Sequence, residues 1–267
     1  MAVELAARKV GQGRLPVLVL HGLLGQGRNW GAIARALEGE ASLWLVDLRN
    51  HGASPWQAQM TYEAMAGDLA ALIEREGLGQ AALVGHSMGG KVAMTLALTR
   101  PELVERLCVV DVAPVPYDHG AEFRSYIRAM QAVDLGRLRR RAEVEEALAE
   151  AAPDRGVRAF LASNLENGDP LRWQPNLAGL LEAMPDILDF PDTAGRRYGG
   201  PTLFLRGARS RYVLPEHEAR IQSLFPRAEI VTIEDAGHWL HAEQPARTVE
   251  LLRGFLGEAG SGTATGR

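Results

Sequence analysis

Short apolar runs rich in β-branched residues alternate with helical periodicity along most of the chain. The runs are Pro16–Leu20, Leu43–Asp47, Ala81–Val84, Leu107–Asp111, Thr202–Leu205 and Glu229–Ile233. Continuous apolar runs suit strands covered on both faces, and their alternation with helices predicts an α/β fold on a mostly parallel sheet. Helices are expected near Trp30–Leu37, Tyr62–Glu76, Met88–Thr99, Glu216–Leu224 and Pro245–Leu256, the third of them stopped by Pro101. The alternation lapses between Pro114 and about Tyr198, where helical patterns carry charged runs such as Arg137–Glu150. More than 80 residues without a strand signal, set between two strand runs, predict an inserted helical cap. The expected plan is a core of residues 1–113 and 199–257, a cap of residues 114–198, and a tail of residues 258–267. The Gly, Ser, Thr and Ala content of that tail predicts disorder.

Composition removes several classes of function. With 267 residues, 46% of them hydrophobic and 23% charged, the chain has material for a sizeable core. A net charge of -4 gives no basic footprint for nucleic acid. No apolar run approaches the roughly 18 residues of a membrane span. The first residues lack the apolar stretch of a secretory leader, so a cytoplasmic location is expected. Cys108 is the only cysteine, which excludes an internal disulfide and a thiolate metal site. No His-Glu-x-x-His helix or zinc-spaced carboxylate–histidine pair occurs, so neither metal nor cofactor is expected. Arg139, Arg140 and Arg141 are followed by Glu143, Glu145, Glu146 and Glu150, the pattern of a solvated, salt-bridged face. No sequence signal points to a particular oligomeric state.

Candidate chemistry concentrates in one segment. Ala81-Ala82-Leu83-Val84-Gly85-His86-Ser87-Met88-Gly89-Gly90-Lys91 reads as a strand, then Gly-x-Ser-x-Gly, then a helix. A serine on so sharp a turn needs small neighbours two residues away on either side, and the glycines supply them. The turn lifts the hydroxyl to a helix N-terminus, where developing negative charge is stabilised, so Ser87 is the expected nucleophile. A serine hydroxyl needs a base. His238, in the loop after the last strand run, is the best placed of the seven histidines. His86 is expected to point away along the elbow, and His241 to be a surface or supporting group.

Beyond the elbow, the recognisable strings are Asp47-Leu48-Arg49-Asn50-His51-Gly52, Val110-Asp111-Val112-Ala113-Pro114, Pro185-Asp186-Ile187-Leu188 and Gly237-His238-Trp239-Leu240-His241-Ala242-Glu243. With these strings the chain resembles the α/β-hydrolase fold superfamily over about residues 10–257. Within it the chain is similar to a group of small acyl-ester hydrolases that includes bacterial enzymes and a mitochondrial relative. The resemblance implies hydrolysis of small-molecule carboxylic esters through an acyl-serine, without cofactor or metal. It also implies that the backbone N–H groups of Met88 and Leu23, with Leu24 as the lesser choice, form the oxyanion hole. Thioester or C–C hydrolysis with the same residues, and a non-catalytic ligand-binding role on the same fold, are the alternatives.

One departure matters. Most members of the superfamily carry the acid that supports the histidine as a Gly-x-x-Asp after the strand corresponding to Thr202–Leu205. Here that loop reads Arg206-Gly207-Ala208-Arg209-Ser210, with serine in place of the aspartate. Asp111, at the end of the neighbouring strand run, is the expected substitute, and it keeps the chain order Ser87, Asp111, His238. A turn-capping role for Asp111 is the plainer alternative, with Asp186 and Asp189 next in line as acids. Asp47 is expected to be structural. Tyr126, Phe160, Trp173 and Trp239 are candidate pocket linings.

Overall fold

The computed structural model describes residues 2–257 apart from 119, 167 and 169. The predicted tail, residues 258–267, lies outside the described residues.

In chain order the first half comprises β1 (Ala7–Val10), β2 (Leu15–Leu20), α1 (Gly31–Leu37), β3 (Ala41–Val46), α2 (Tyr62–Arg75), β4 (Ala81–His86), α3 (Met88–Thr99) and β5 (Val104–Val110). There follow α4 (Ala121–Ala132), α5 (Arg141–Ala147), α6 (Arg155–Ala162), β6 (Leu165–Glu166), β7 (Arg172–Trp173), α7 (Leu177–Glu182) and α8 (Met184–Leu188). The chain closes with β8 (Thr202–Gly207), α9 (Glu218–Leu224), β9 (Ala228–Ile233), α10 (Leu240–Glu243) and α11 (Pro245–Gly257). Seven strands form one sheet in the order β1-β3-β2-β4-β5-β8-β9. All its neighbours are parallel except β1 and β3.

Alternation along the strands explains why their runs are apolar throughout. Leu18, Leu20, Leu83, Leu107 and Val109 pack on one face with α2, α3 and the helical insertion. Val17, Val19, Ala82, Val84, Cys108 and Val110 pack on the other with α1 and α11. A sheet covered on both faces leaves few polar positions in its central strands, Glu105 and Arg106 near the start of β5 being two of them.

The structure adds two features. β1 was not expected: its sequence, Ala7-Arg8-Lys9-Val10, has no apolar run and is largely exposed. An antiparallel edge strand has one neighbour, so charged side chains there face water and discourage further pairing. The second feature corrects the strand-free expectation for residues 114–198, because β6 and β7 pair within it, Leu165 opposite Trp173. Two-residue strands are too short to write a period into the sequence. In the arginine run, Arg140 pairs with Glu143 at 2.9 Å on an exposed face.

The carboxyl ends of β4, β5, β8 and β9 lie side by side. Ser87, Asp111, Ser210 and His238 follow those four ends, so residues far apart in sequence meet at one edge.

Candidate active site

Ser87 caps α3 with φ 51° and ψ −120°, a backbone conformation that side chains rarely adopt. Close packing imposes the turn. A Cβ on Gly85 would meet the Gly89 carbonyl oxygen at 2.3 Å, and one on Gly89 would meet the His21 carbonyl oxygen at 2.6 Å. The Ser87 N–H donates to the Val110 carbonyl at 3.0 Å, which ties the elbow to β5.

Asp111 sits immediately after β5, fully buried and also at positive φ. Its Oδ1 accepts from the Gly207 N–H at 3.0 Å. Its Oδ2 accepts from the Ser210 hydroxyl, and lies 2.8 Å from Nδ1 of His238. The serine that stands in the usual aspartate position therefore holds the carboxylate that comes from the next strand. A buried carboxylate is tolerable only with such donors. With Nδ1–H donating to Asp111, Nε2 of His238 carries the lone pair. The His238 ring stacks on Tyr212 with centroids 3.9 Å apart.

The loop after β2 is braced from two sides. Leu24 has φ 59°; its N–H donates to Nε2 of His51 at 3.2 Å, and its carbonyl accepts from Asn164 Nδ2 at 2.7 Å. Leu24 is thereby committed, which leaves the Leu23 N–H as the candidate oxyanion donor beside Met88. The Leu48 N–H donates in the same way to Nε2 of His21 at 3.0 Å. Each ring turns its Nδ1 to a main-chain carbonyl, Gly22 for His21 and Arg49 for His51. Both are thus neutral, Nδ1-protonated imidazoles that accept from the backbone, a role that the sequence did not reveal.

One expectation about the histidines changes, and of the two readings of His241 the surface one falls. His86 does not point away from the site: its Nε2 lies 2.8 Å from the His238 carbonyl, supporting the loop that carries His238. His241 is not a surface group. It is buried and stacks on Trp30 with centroids 4.4 Å apart. Asp47 accepts main-chain N–H groups from Gly27 at 2.7 Å and Ala53 at 2.9 Å, which makes it a structural brace. Arg49 of the same string forms a buried two-pronged pair with Asp68 at 2.7 and 2.8 Å.

Burial lowers the pKa of His21 to about 4 and that of His51 and His241 to about 3. The unfolded chain, with histidines near 6.5, then binds protons first as the pH falls. The stability associated with the neutral rings is complete above pH 6.5 and is lost progressively down to pH 4 for His21 and pH 3 for the other two. Each ring should cost roughly 2 kcal/mol at pH 5, a large share in sum of the about 5–15 kcal/mol usual for a domain. Urea unfolding at pH 7.5 and pH 5 should show a marked fall in midpoint. An unchanged midpoint would mean that the rings protonate freely in the folded chain.

Two cavities meet at Ser87. One is lined by His21, His86, His238, Phe160 and Trp239 among others. The other is lined by Met88, Lys91, Val112, Met184 and Ile187 among others. Leu23, Ser87 and Phe123 border both. Of the four aromatic residues expected to line a pocket, Phe160 and Trp239 do so beside Ser87. Tyr126 borders an outer groove. Trp173 is packed in the helical insertion, its Nε1 donating to the Met130 carbonyl at 2.9 Å. No sequence pattern singles out Lys91. Its side chain is buried, and burial lowers its pKa to about 7.

Among the described residues no helix is long and apolar enough to cross a membrane. No group of three or more His, Cys, Asp or Glu residues among them is placed to hold a metal ion.

Comparison with known proteins gives the arrangement its context. The chain is 41% identical to mouse sn-1-specific diacylglycerol lipase ABHD11 over 254 residues, covering 92% of this chain and 82% of that protein. It is 32% identical to esterase YbfF of Escherichia coli, covering 91% of this chain and 93% of the enzyme. A solved marine microorganism esterase superposes with a TM-score of 0.91 at 36% identity, covering 95% of this chain and 100% of that one. The family model for the alpha/beta hydrolase fold matches residues 16–245. With most of its length matched, this chain belongs to the α/β-hydrolase fold family.

Proposed function

We propose that the protein is a serine esterase that hydrolyses small-molecule carboxylic esters through an acyl-serine intermediate. The observation that carries this reading is the convergence at one cavity of Ser87, on a strained elbow, and His238, whose Nδ1 is bonded to a buried carboxylate. Ser87 Oγ attacks the ester carbonyl while Nε2 of His238 takes its proton. The tetrahedral oxyanion is held by the N–H groups of Met88 and Leu23, each worth roughly 3–4 kcal/mol in comparable sites. His238 then returns the proton to the departing alcohol, and water repeats the sequence on the acyl-enzyme. Asp111 keeps the imidazole in the productive tautomer and offsets the charge that it gains.

This assignment also divides the substrate. The leaving alcohol must lie on the side where His238 can protonate it, which is the cavity lined by His238, Phe160 and Trp239. The acyl chain then occupies the cavity of Met88, Val112 and Met184. Residues 114–198, which we take as a cap over a core of residues 1–113 and 199–257, supply Phe123 and Phe160 to the first cavity and Tyr117, Phe123, Met184, Ile187 and Leu188 to the second.

The test is covalent labelling. A fluorophosphonate probe should modify Ser87, identified by peptide mapping, and p-nitrophenyl esters should be turned over by the same preparation. Folded protein that neither labels nor hydrolyses would favour the ligand-binding alternative.

A further inference from the structure

Ester hydrolysis by itself leaves Lys91 without a task. Its side chain is 2% exposed, yet it lines the same cavity as Ser87 and Met88. Ser87 caps α3 and Lys91 lies in its first turn, the Lys91 N–H donating to the Ser87 carbonyl at 3.1 Å. The ammonium donates to the carbonyls of Leu188 at 3.0 Å and Asp189 at 2.6 Å. It stands 4.7 Å from the centroid of the Tyr117 ring and 5.6 Å from that of Tyr62.

These contacts fix the ammonium in space but do not neutralise it. Carbonyl dipoles and ring faces carry no net charge, and among the described residues Lys91 forms no ion pair. The hydroxyl of Tyr62 donates to the Ile187 carbonyl at 2.6 Å, and Oδ1 of Asp189 accepts from the Phe190 N–H at 2.8 Å. The Asp189 carboxylate acts on the ammonium without pairing with it, and a buried cation without an ion-pair partner is costly, so a chain that seeks only stability would place an apolar residue there. The remaining walls, Val112, Met184 and Ile187, are apolar and would hold methylenes.

We propose that Lys91 is a specificity-determining residue that receives a carboxylate at the far end of the acyl chain, so that monoesters of short dicarboxylic acids are preferred to alkanoate esters. The inference rests on the esterase reading and on the acyl chain occupying the Lys91 cavity. Three or four methylenes between the two carbonyl carbons would lie along the apolar walls. The terminal carboxylate then accepts from the ammonium, a charge-assisted bond formed away from water. A neutral chain of the same shape fills the walls and leaves the charge unpaired.

The experiment compares kcat/KM for p-nitrophenyl monoesters of glutaric and adipic acid with the isosteric 5-methylhexanoate and 6-methylheptanoate esters, at pH 6.5. For the protein as it stands, the better carboxylate ester should exceed its isostere by roughly tenfold or more, the scale of one buried charge-assisted hydrogen bond. In Lys91→Met that ratio should fall below one, because the carboxylate would enter an apolar cavity. Equal rates with both ester types in the unaltered protein overturn the inference whether or not the variant folds. So does a preference that survives in Lys91→Met. Those outcomes leave the esterase reading standing, whereas that reading itself fails if no ester is turned over and the fluorophosphonate does not label.

Discussion

Ser87→Ala should fold as the parent does and lose ester turnover by about a millionfold in kcat, the scale seen when a serine nucleophile is removed from such a set. The substitution removes one oxygen from a half-buried position and leaves the elbow intact. The turn is imposed by the approach of Gly85 and Gly89 to main-chain oxygens, not by the serine side chain. Circular dichroism and the thermal midpoint should therefore be nearly unchanged, and fluorophosphonate labelling should vanish. His238→Ala should be damaged almost as severely, and the double variant hardly further, because the hydroxyl and its base act as one unit. Retention of more than a few per cent of the parent kcat in Ser87→Ala, with contaminating esterase excluded, would place the nucleophile elsewhere.

The central strands and the elbow were legible because local pattern and tertiary demand coincide there. A strand buried on both faces is apolar at every position, as β4 is from Ala81 to His86 apart from its last residue. The glycines after it record contacts that leave no room for a Cβ. Asp111 was legible by a different route, from the absence of a carboxylate at Ser210 and the position of the next strand end. What stayed hidden depends on partners distant in sequence. Asn164 reaches Leu24 across 140 residues, and Lys91 reaches Leu188 and Asp189 across nearly 100. No period of 2 or 3.6 residues announces such a contact. His21 and His51 were hidden for a related reason. A neutral buried imidazole serves as a paired donor and acceptor for the main chain, and only the fold shows which groups are nearby. β1 was hidden because an exposed, charged edge strand lacks the apolar run by which strands are recognised.

Asp111→Asn is expected to lower kcat by about 10⁴-fold while the fold persists, by analogy with the same change in a serine-protease triad. The backbone tolerates the change, because Asp111 has φ 54° and asparagine is among the residues most at ease there. The chemistry does not. The Gly207 N–H donates to Oδ1, so the amide oxygen would take that position, and the NH₂ would take the Oδ2 position, facing His238 and a Ser210 hydroxyl that can turn to accept. Nδ1 would then have to accept, the proton would move to Nε2, and the lone pair needed to activate Ser87 would be lost. The sequence alone suggests that Ser210→Ala should do little. The structure raises that expectation to a loss of about tenfold, since one charge-assisted donor to the buried carboxylate disappears. The gap between 10⁴ and ten separates a residue that sets the tautomer from one that only steadies it. Because the Ser210 hydroxyl already reaches the Asp111 carboxylate, a carboxyl group carried from position 210 lies near the space that Asp111→Ala would empty. Asp111→Ala combined with Ser210→Asp should accordingly recover part of the activity that Asp111→Ala loses. Near-parent turnover in Asp111→Asn, in protein whose circular dichroism is unchanged, would remove Asp111 from the reaction and send the search for the acid to Asp186 and Asp189.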